Sequence, residues 1–159
     1  MKTGLVVGKF APLHAGHEYL LKIATGAVDE LVVLVYDASD VTNVPLPVRA
    51  DWIRALYPDV VVLEGYNAPP RDMWTPERTH EHEEFIKQLV SPHHITHVFS
   101  CEEYGELLAR ALGAEHVRVE KLVEGASHMS ATIVRSHPDA RQFVSKQVYR
   151  DMQKYGDVL

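Results

Sequence analysis

The chain has one cysteine, Cys101, in 159 residues. A single thiol excludes an internal disulfide and argues against a zinc–thiolate site. No apolar run approaches the ~20 residues that a bilayer-spanning helix needs. The apolar stretch behind Met1 and Lys2 is too short for a signal peptide, so the expected compartment is the cytoplasm and no membrane partner is expected. A surplus of positive charge is also missing: the formal net charge is −6. That sign argues against DNA or RNA as a partner, because phosphate backbones are met by basic stripes. Internal repeats, low-complexity segments and a GxxxxGKS/T phosphate loop are all absent. What is present is 46% hydrophobic and 24% charged residues, the balance of a folded rather than a disordered chain, and a length suited to one domain over residues 1–159.

Strand and helix signals alternate. Residues 4–7, 30–36, 60–63, 97–100 and 116–119 are short apolar, β-branched runs and predict five strands. Between them, residues 16–27 place Leu20, Ile23, Ala24 and Ala27 on one helical face. Residues 47–57 place Val48, Trp52, Ala55 and Leu56 together behind Pro47 in the first turn. Residues 103–112 form a helix closed by Gly113. A short helix is expected over about 130–135 and a last one over 141–154. Buried strands separated by helices predict an α/β fold: a doubly wound, Rossmann-like parallel five-stranded sheet with C-terminal helices. In such sheets ligands bind beyond the carboxyl ends of the strands. The segments to inspect are therefore 8–15, 37–46, 65–79, 100–102 and 120–129. Residues 67–79 carry Pro69, Pro70, Pro76 and Trp74, and read as a long loop of the kind that is often functional.

The first of these segments runs Gly8-Lys9-Phe10-Ala11-Pro12-Leu13-His14-Ala15-Gly16-His17, straight from a strand into a helix. Gly8 permits a tight exit, Pro12 stiffens the loop, and Gly16 allows close approach at the helix start. A helix N-terminus attracts phosphate through its free N–H groups and its dipole. His14, His17 and Lys9 stand beside that end, and an imidazole grips phosphate more strongly when protonated. Two plainer readings use the same residues: histidines that merely cap the helix, or a metal held by two histidines three apart. The second segment is Met129-Ser130-Ala131-Thr132-Ile133-Val134-Arg135. Ser130 suits an N-cap, and Arg135 can hold phosphate oxygens through its planar fork.

Together the two segments resemble the signatures of the HIGH-type nucleotidyltransferases. The first matches GxFxPxHxGH at every fixed position. The second resembles ISSTxxR, with Met129 for Ile and Ala131 for the second Ser. The likeness is closest to nicotinamide mononucleotide (NMN) adenylyltransferases of the NadR type. Lys9 after Gly8 is typical there, whereas cytidylyltransferases carry Asp where this chain has Ala11. Pro47-Val48-Arg49-Ala50-Asp51-Trp52 is similar to that family's Pro, Arg and Trp segment, and Ser100-Cys101-Glu102-Glu103-Tyr104-Gly105 to its Ser-Glu element.

The resemblance implies a nucleotidyltransferase-type (HUP) domain that joins ATP to NMN, giving NAD and pyrophosphate. It implies His14 and His17 at the α- and β-phosphates, and Lys9 and Arg135 on the leaving pyrophosphate. Gly8, Phe10, Gly16, Ser100, Ser130 and Thr132 would line the ATP site, with the adenine near Ser100. Arg49 and Trp74 would serve the acceptor. Trp74 suits a flat cationic ring, although a loop anchor on the neighbouring prolines explains it nearly as well. Magnesium is expected to arrive with ATP, largely water-ligated, with no protein-built metal site. The run Thr79-His80-Glu81-His82-Glu83-Glu84 reads as a solvated helix start rather than a metal site. Two alternatives stand beside this reading: another small phosphate ester as acceptor (phosphopantetheine, FMN, a sugar or alcohol phosphate), and a non-catalytic nucleotide sensor. A homo-oligomer is left open.

Overall fold

Period-two alternation in the central strands sends side chains to both faces, so a sheet built from them is covered twice. A computed structural model describes residues 1–121, 123–124, 127–128, 130–136 and 139–157 and has this architecture. Strands β1 (Thr3–Gly8), β2 (Glu30–Tyr36), β3 (Val61–Gly65), β4 (His97–Ser100) and β5 (Glu115–Arg118) form one sheet. Its order is β3-β2-β1-β4-β5 and every pairing is parallel. Helices α1 (Ala15–Ala27), α2 (Leu46–Leu56), α3 (Pro76–Val90) and α4 (Tyr104–Leu112) make the crossovers. The chain first winds outward to β3, then α3 carries it back so that β4 pairs with β1. The strand order therefore reverses between β1 and β4, and their carboxyl ends open a crevice there.

Two apolar clusters cover the two faces. On one, Val6, Val33, Val35 and Phe99 pack with Leu20, Leu21 and Ala24 of α1, Ala50, Trp52 and Ile53 of α2, and Val148 and Met152 of the last helix. On the other, Leu5, Val32, Leu34, Tyr36 and Val98 pack with Ile86 and Val90 of α3 and Leu108 and Ala109 of α4. Each large aliphatic side chain buried in this way contributes roughly 1.5–3 kcal/mol relative to exposure. Among the described residues no helix is long and apolar enough to cross a membrane.

The five expected strands and the first helices agree with the structure to within a residue or two, and Gly113 closes α4 at φ 68°. Three expectations need correction. The loop expected over residues 67–79 stops at Thr75, whose side chain accepts from the Arg78 N–H and caps a helix of 15 residues. That helix was legible only at its start because its buried residues, Ile86 and Val90, lie in its last turns. The helix expected over 141–154 is divided into a 3-10 turn, Ala140–Gln142, and α6, Lys146–Lys154, which begins where Ser145 accepts from the Val148 N–H. The strands β6 (Val123–Glu124) and β7 (Ser127–His128), an antiparallel pair, are too short to leave a periodic signal. The short helix falls at α5, Ala131–Ser136, as expected.

At the end of β4 the backbone of α4 comes close to the sheet. The Ser100 hydroxyl donates to the Glu102 carbonyl (2.9 Å) and lies 2.8 Å from His116 Nε2. A Cβ on Gly105 would fall 1.9 Å from Ser100 Oγ and 2.7 Å from His116 Nε2, so only glycine fits. Gly105→Ala should therefore destabilise the protein by about 1–3 kcal/mol, the scale of overpacking a filled site. Urea denaturation measures this, and an unchanged midpoint would show that Ser100 can move aside freely.

Candidate active site

The loop from β1 to α1 is shaped by its own side chains. His14 is the N-cap of α1, in extended conformation, and its Nδ1 accepts from the Gly16 N–H (3.0 Å) and the His17 N–H (3.4 Å). His17 reaches back, its Nδ1 accepting from the His14 N–H at 3.3 Å. This is a capping box built from two imidazoles. An Nδ1 that accepts leaves the ring proton on Nε2, so each neutral ring is an Nε2–H donor. The rings stack at 3.8 Å between centroids. Burial lowers the His14 pKa to about 4. Burial, and then the charge of His14, hold His17 well below the ordinary imidazole value, with the Pro12 carbonyl opposing. Both histidines are thereby held toward the neutral form, in which each ring keeps one N–H donor. Both rings cap the helix through Nδ1, and both residues also line a cavity beside the end of β1.

Phe10 adopts a positive φ of 47° and turns its ring inward, edge-on to His17 at 4.8 Å. A Cβ on Gly8 would meet that ring at 3.1 Å, so Gly8 is the space in which Phe10 packs. Phe10, expected at ATP, packs in the core beneath the loop and also borders the cavity that the first motif lines. Arg49 departs from expectation. It is 2% exposed. Its Nη1 donates to the carbonyls of Lys9 and Tyr36, and its Nε to that of Val44. Rather than facing an acceptor, Arg49 fastens the carboxyl ends of β1 and β2 to each other. Trp52 is core, as its helical face predicts, and its Nε1 donates to Asp151 (2.7 Å).

The second motif closes over the first. Arg135 donates to the Ala11 carbonyl at 2.5 Å and stands beside Thr132 Oγ1 at 3.5 Å. Ser130 precedes α5, and its carbonyl accepts from the Val134 N–H. Met129 lies outside the described residues. Lys9 Nζ is 3.7 Å from Asp40 Oδ2. Its pKa is lowered by burial first and by the neighbouring Arg71 charge second, with Arg135 adding in the same direction and Asp40 opposing.

Two cavities flank the end of β1 and share Val7 and Gly8. One, about 200 Å³, is lined by His14, Gly16 and His17 of the first motif, Ser100, and Ser130 and Ala131 of the second. The other, about 230 Å³, is lined by Lys9, Tyr36, Arg71, Trp74, His82 and Tyr104 among others. The structure thus brings Gly8, Phe10, His14, Gly16, His17, Ser100 and Ser130 to one side, and Lys9 and Trp74 to the other. Thr132 and Arg135 line neither, standing above the loop that separates them. Trp74 is 91% exposed, so it does not anchor the loop in the core. Tyr36, Arg71, His82 and Tyr104 escaped the sequence reading. The signals that could have found them are positional: Tyr36 ends β2, Arg71 lies in the segment beyond β3, and Tyr104 lies just after β4.

No protein-family model matches this chain, and no curated protein sequence does either. Its Rossmann-like α/β fold is shared with solved structures. Among them is NadR protein in complex with NR, with a TM-score of 0.67 and 20% identity over 94% of this chain and 45% of that one. A bifunctional NMN adenylyltransferase/ADP ribose pyrophosphatase from Francisella tularensis, complexed with AMP and a manganese ion, has a TM-score of 0.65 and 12% identity over 99% and 49%. Pantothenate synthetase from Thermus thermophilus has a TM-score of 0.61 and 18% identity over 89% and 64%. The chain therefore spans about half the length of the first two.

The histidine cap makes stability depend on pH. An unfolded imidazole takes its proton at about 6.5, whereas the folded protein keeps His14 neutral down to about 4. The stabilisation is full above about pH 6.5 and is lost as pH falls toward 4, by at most about 3 kcal/mol. His14→Asn keeps a good N-cap and removes the titration. The stability difference between pH 7.5 and pH 4.5 should shrink in this variant, and a difference equal to that of the unaltered protein would acquit His14.

Proposed function

We propose that this protein is a nucleotidyltransferase that transfers the adenylyl group of ATP to NMN, giving NAD and pyrophosphate. The observation that carries the reading is the pair of cavities meeting at Gly8, one lined by both motifs and the other by aromatic and cationic side chains. A two-substrate transfer needs two such sites with a reacting phosphorus between them. Similarity of fold to NadR protein in complex with NAD and AMP-PNP, at a TM-score of 0.62 and 20% identity, supports the choice of ligands.

The chemistry asks little of the protein beyond placement. A phosphate monoester has its second pKa at about 6 and is largely dianionic at neutral pH. It attacks the α-phosphorus in line, and pyrophosphate leaves. Catalysis is then positioning and charge neutralisation. The Nε2–H groups of His14 and His17 donate to phosphate oxygens without needing a proton from solution. Lys9 and Arg135 neutralise the departing pyrophosphate, and Ser130 and Thr132 add neutral donors. Magnesium enters as part of the nucleotide substrate. Trp74 offers its face to the pyridine ring, and Tyr36, buried under Arg71, backs the same wall.

The direct test is pyrophosphate release from ATP with NMN, phosphopantetheine, FMN and simple sugar phosphates offered in turn. Turnover with NMN alone supports the proposal, and turnover with another ester moves the acceptor while keeping the chemistry. His17→Ala should lower turnover at least ~100-fold with a smaller change in ATP affinity, the scale for one lost donor at a developing charge. Near-normal turnover would remove His17 from the reaction.

Trp74 reports on the acceptor. If its ring stacks on the pyridine, NMN quenches its fluorescence in the absence of ATP. Trp74→Ala then raises KM for NMN and leaves that for ATP nearly unchanged. Equal effects on both substrates, or none, would argue for a different acceptor.

A further inference from the structure

The run of histidine and glutamate at the start of α3 has a specific use at one position. His82 lies on the face of α3 that looks into the second cavity. Its Nε2 is 3.2 Å from the Pro70 carbonyl, which can only accept, so the proton sits on Nε2. Nδ1 of the neutral ring is then an acceptor, and the Tyr36 hydroxyl, 2.6 Å away, donates to it. Burial, with Arg71 and Arg78 adding to it, keeps the His82 pKa below the ordinary value, against the pull of the Pro70 carbonyl. One imidazole therefore links the end of β2 to the loop that follows β3.

That loop carries Arg71 and Trp74 on the wall of the cavity. It is tied on both sides of Arg71. Pro70 is held by His82, and Asp72 by the Nε of Arg78 at 3.1 Å. Arg78 is itself paired with Glu81 on the same helix. Between the two ties the Arg71 guanidinium lies 4.8 Å over the Tyr36 ring, the same ring whose hydroxyl His82 receives. Among the described residues no carboxylate forms an ion pair with Arg71, so its charge is available to the cavity.

We propose that His82 is a positioning residue for the acceptor: by receiving the Tyr36 hydroxyl and donating to the Pro70 carbonyl, it holds Tyr36, Arg71 and Trp74 as one ordered wall of the second cavity. This rests on reading that cavity as the acceptor site. The wall presents a guanidinium and the exposed face of Trp74, chemistry that fits a planar ring carrying a phosphate.

The test has one arm that needs no activity and one that does. His82→Leu removes both hydrogen bonds, and His82→Gln restores an acceptor and a donor on one amide. Tyr36→Phe removes only the hydroxyl, and carries the test with the glutamine variant if the leucine variant does not fold. In the first arm, trypsin cleavage at the Arg71–Asp72 bond is timed by mass spectrometry in the absence of ligand. It should be faster in His82→Leu and Tyr36→Phe, and closer to the unaltered rate in His82→Gln. In the unaltered protein, nitrogen-15 spectra should show His82 with Nδ1 unprotonated and Nε2 protonated at pH 7. Unchanged cleavage in folded variants, or the opposite tautomer, would overturn the proposal.

In the second arm, KM for NMN should rise roughly tenfold in His82→Leu with that for ATP nearly constant, and recover in the glutamine variant, since catalysis depends steeply on placement. A fall in kcat alone, with both Michaelis constants unchanged, would overturn the positioning role. If the unaltered protein turns over no phosphate ester, the acceptor reading fails, and the cleavage and tautomer results still decide whether His82 orders the loop.

Discussion

A buried guanidinium sets the terms for the rest of this structure. Arg49 sits on α2 behind the sheet, yet its donors reach the carbonyls of Lys9, Tyr36 and Val44. Those carbonyls belong to the loop after β1, the end of β2 and the approach to α2. Lys9 and Val44 lie outside regular elements and Tyr36 is the last residue of its strand, and all three present acceptors to a core without water. One arginine satisfies them together and fixes the distance between them. Desolvation works against its charge, with Asp37 and Asp157 acting in the opposite sense. An uncharged side chain of similar volume could fill the space, but it could not hold the three carbonyls in register. The spacing between Lys9 and Tyr36, which face the same cavity, follows from this contact.

Within that frame the local charge runs against the global one. The chain is acidic overall, with a formal net charge of −6. At the end of β1, however, Lys9 is close enough to Arg71 and Arg135 for both to depress its pKa. Like charges are gathered here at a cost, eased by Asp40 beside Lys9. Such a gathering is stable in the presence of an anion and strained without one. The neutral imidazoles complement it by adding donors without adding charge.

The parts of the architecture that were legible in the sequence are those where one physical signal dominates. The central strands β1 and β2 are buried on both faces and therefore read as continuous apolar runs. Gly113 marks a left-handed C-cap, and Pro47 a first turn. The capping loop was legible because Gly8, Pro12, His14, Gly16 and His17 each answer a backbone demand within ten residues. Legibility failed where burial comes from tertiary partners. Helix α3 is polar through its first turns and becomes apolar only where it meets the sheet, so its length was hidden. Arg49 sits in a motif that suggested ligand contact, and only the fold shows that it is turned toward backbone carbonyls. Arg71 lies in the proline-rich segment and His82 in the histidine–glutamate run, and neither pattern names a partner. They acquire meaning because Tyr36, distant in sequence, arrives beside both.

The stacked pair at the start of α1 has one more implication. His14 and His17 lie ring on ring at 3.8 Å, and a charge on one depresses the pKa of the other. Two sites coupled in this way do not take up protons independently. They share a first macroscopic step, and the second is deferred to more acid conditions. A proton on one ring therefore holds the other neutral further into acid.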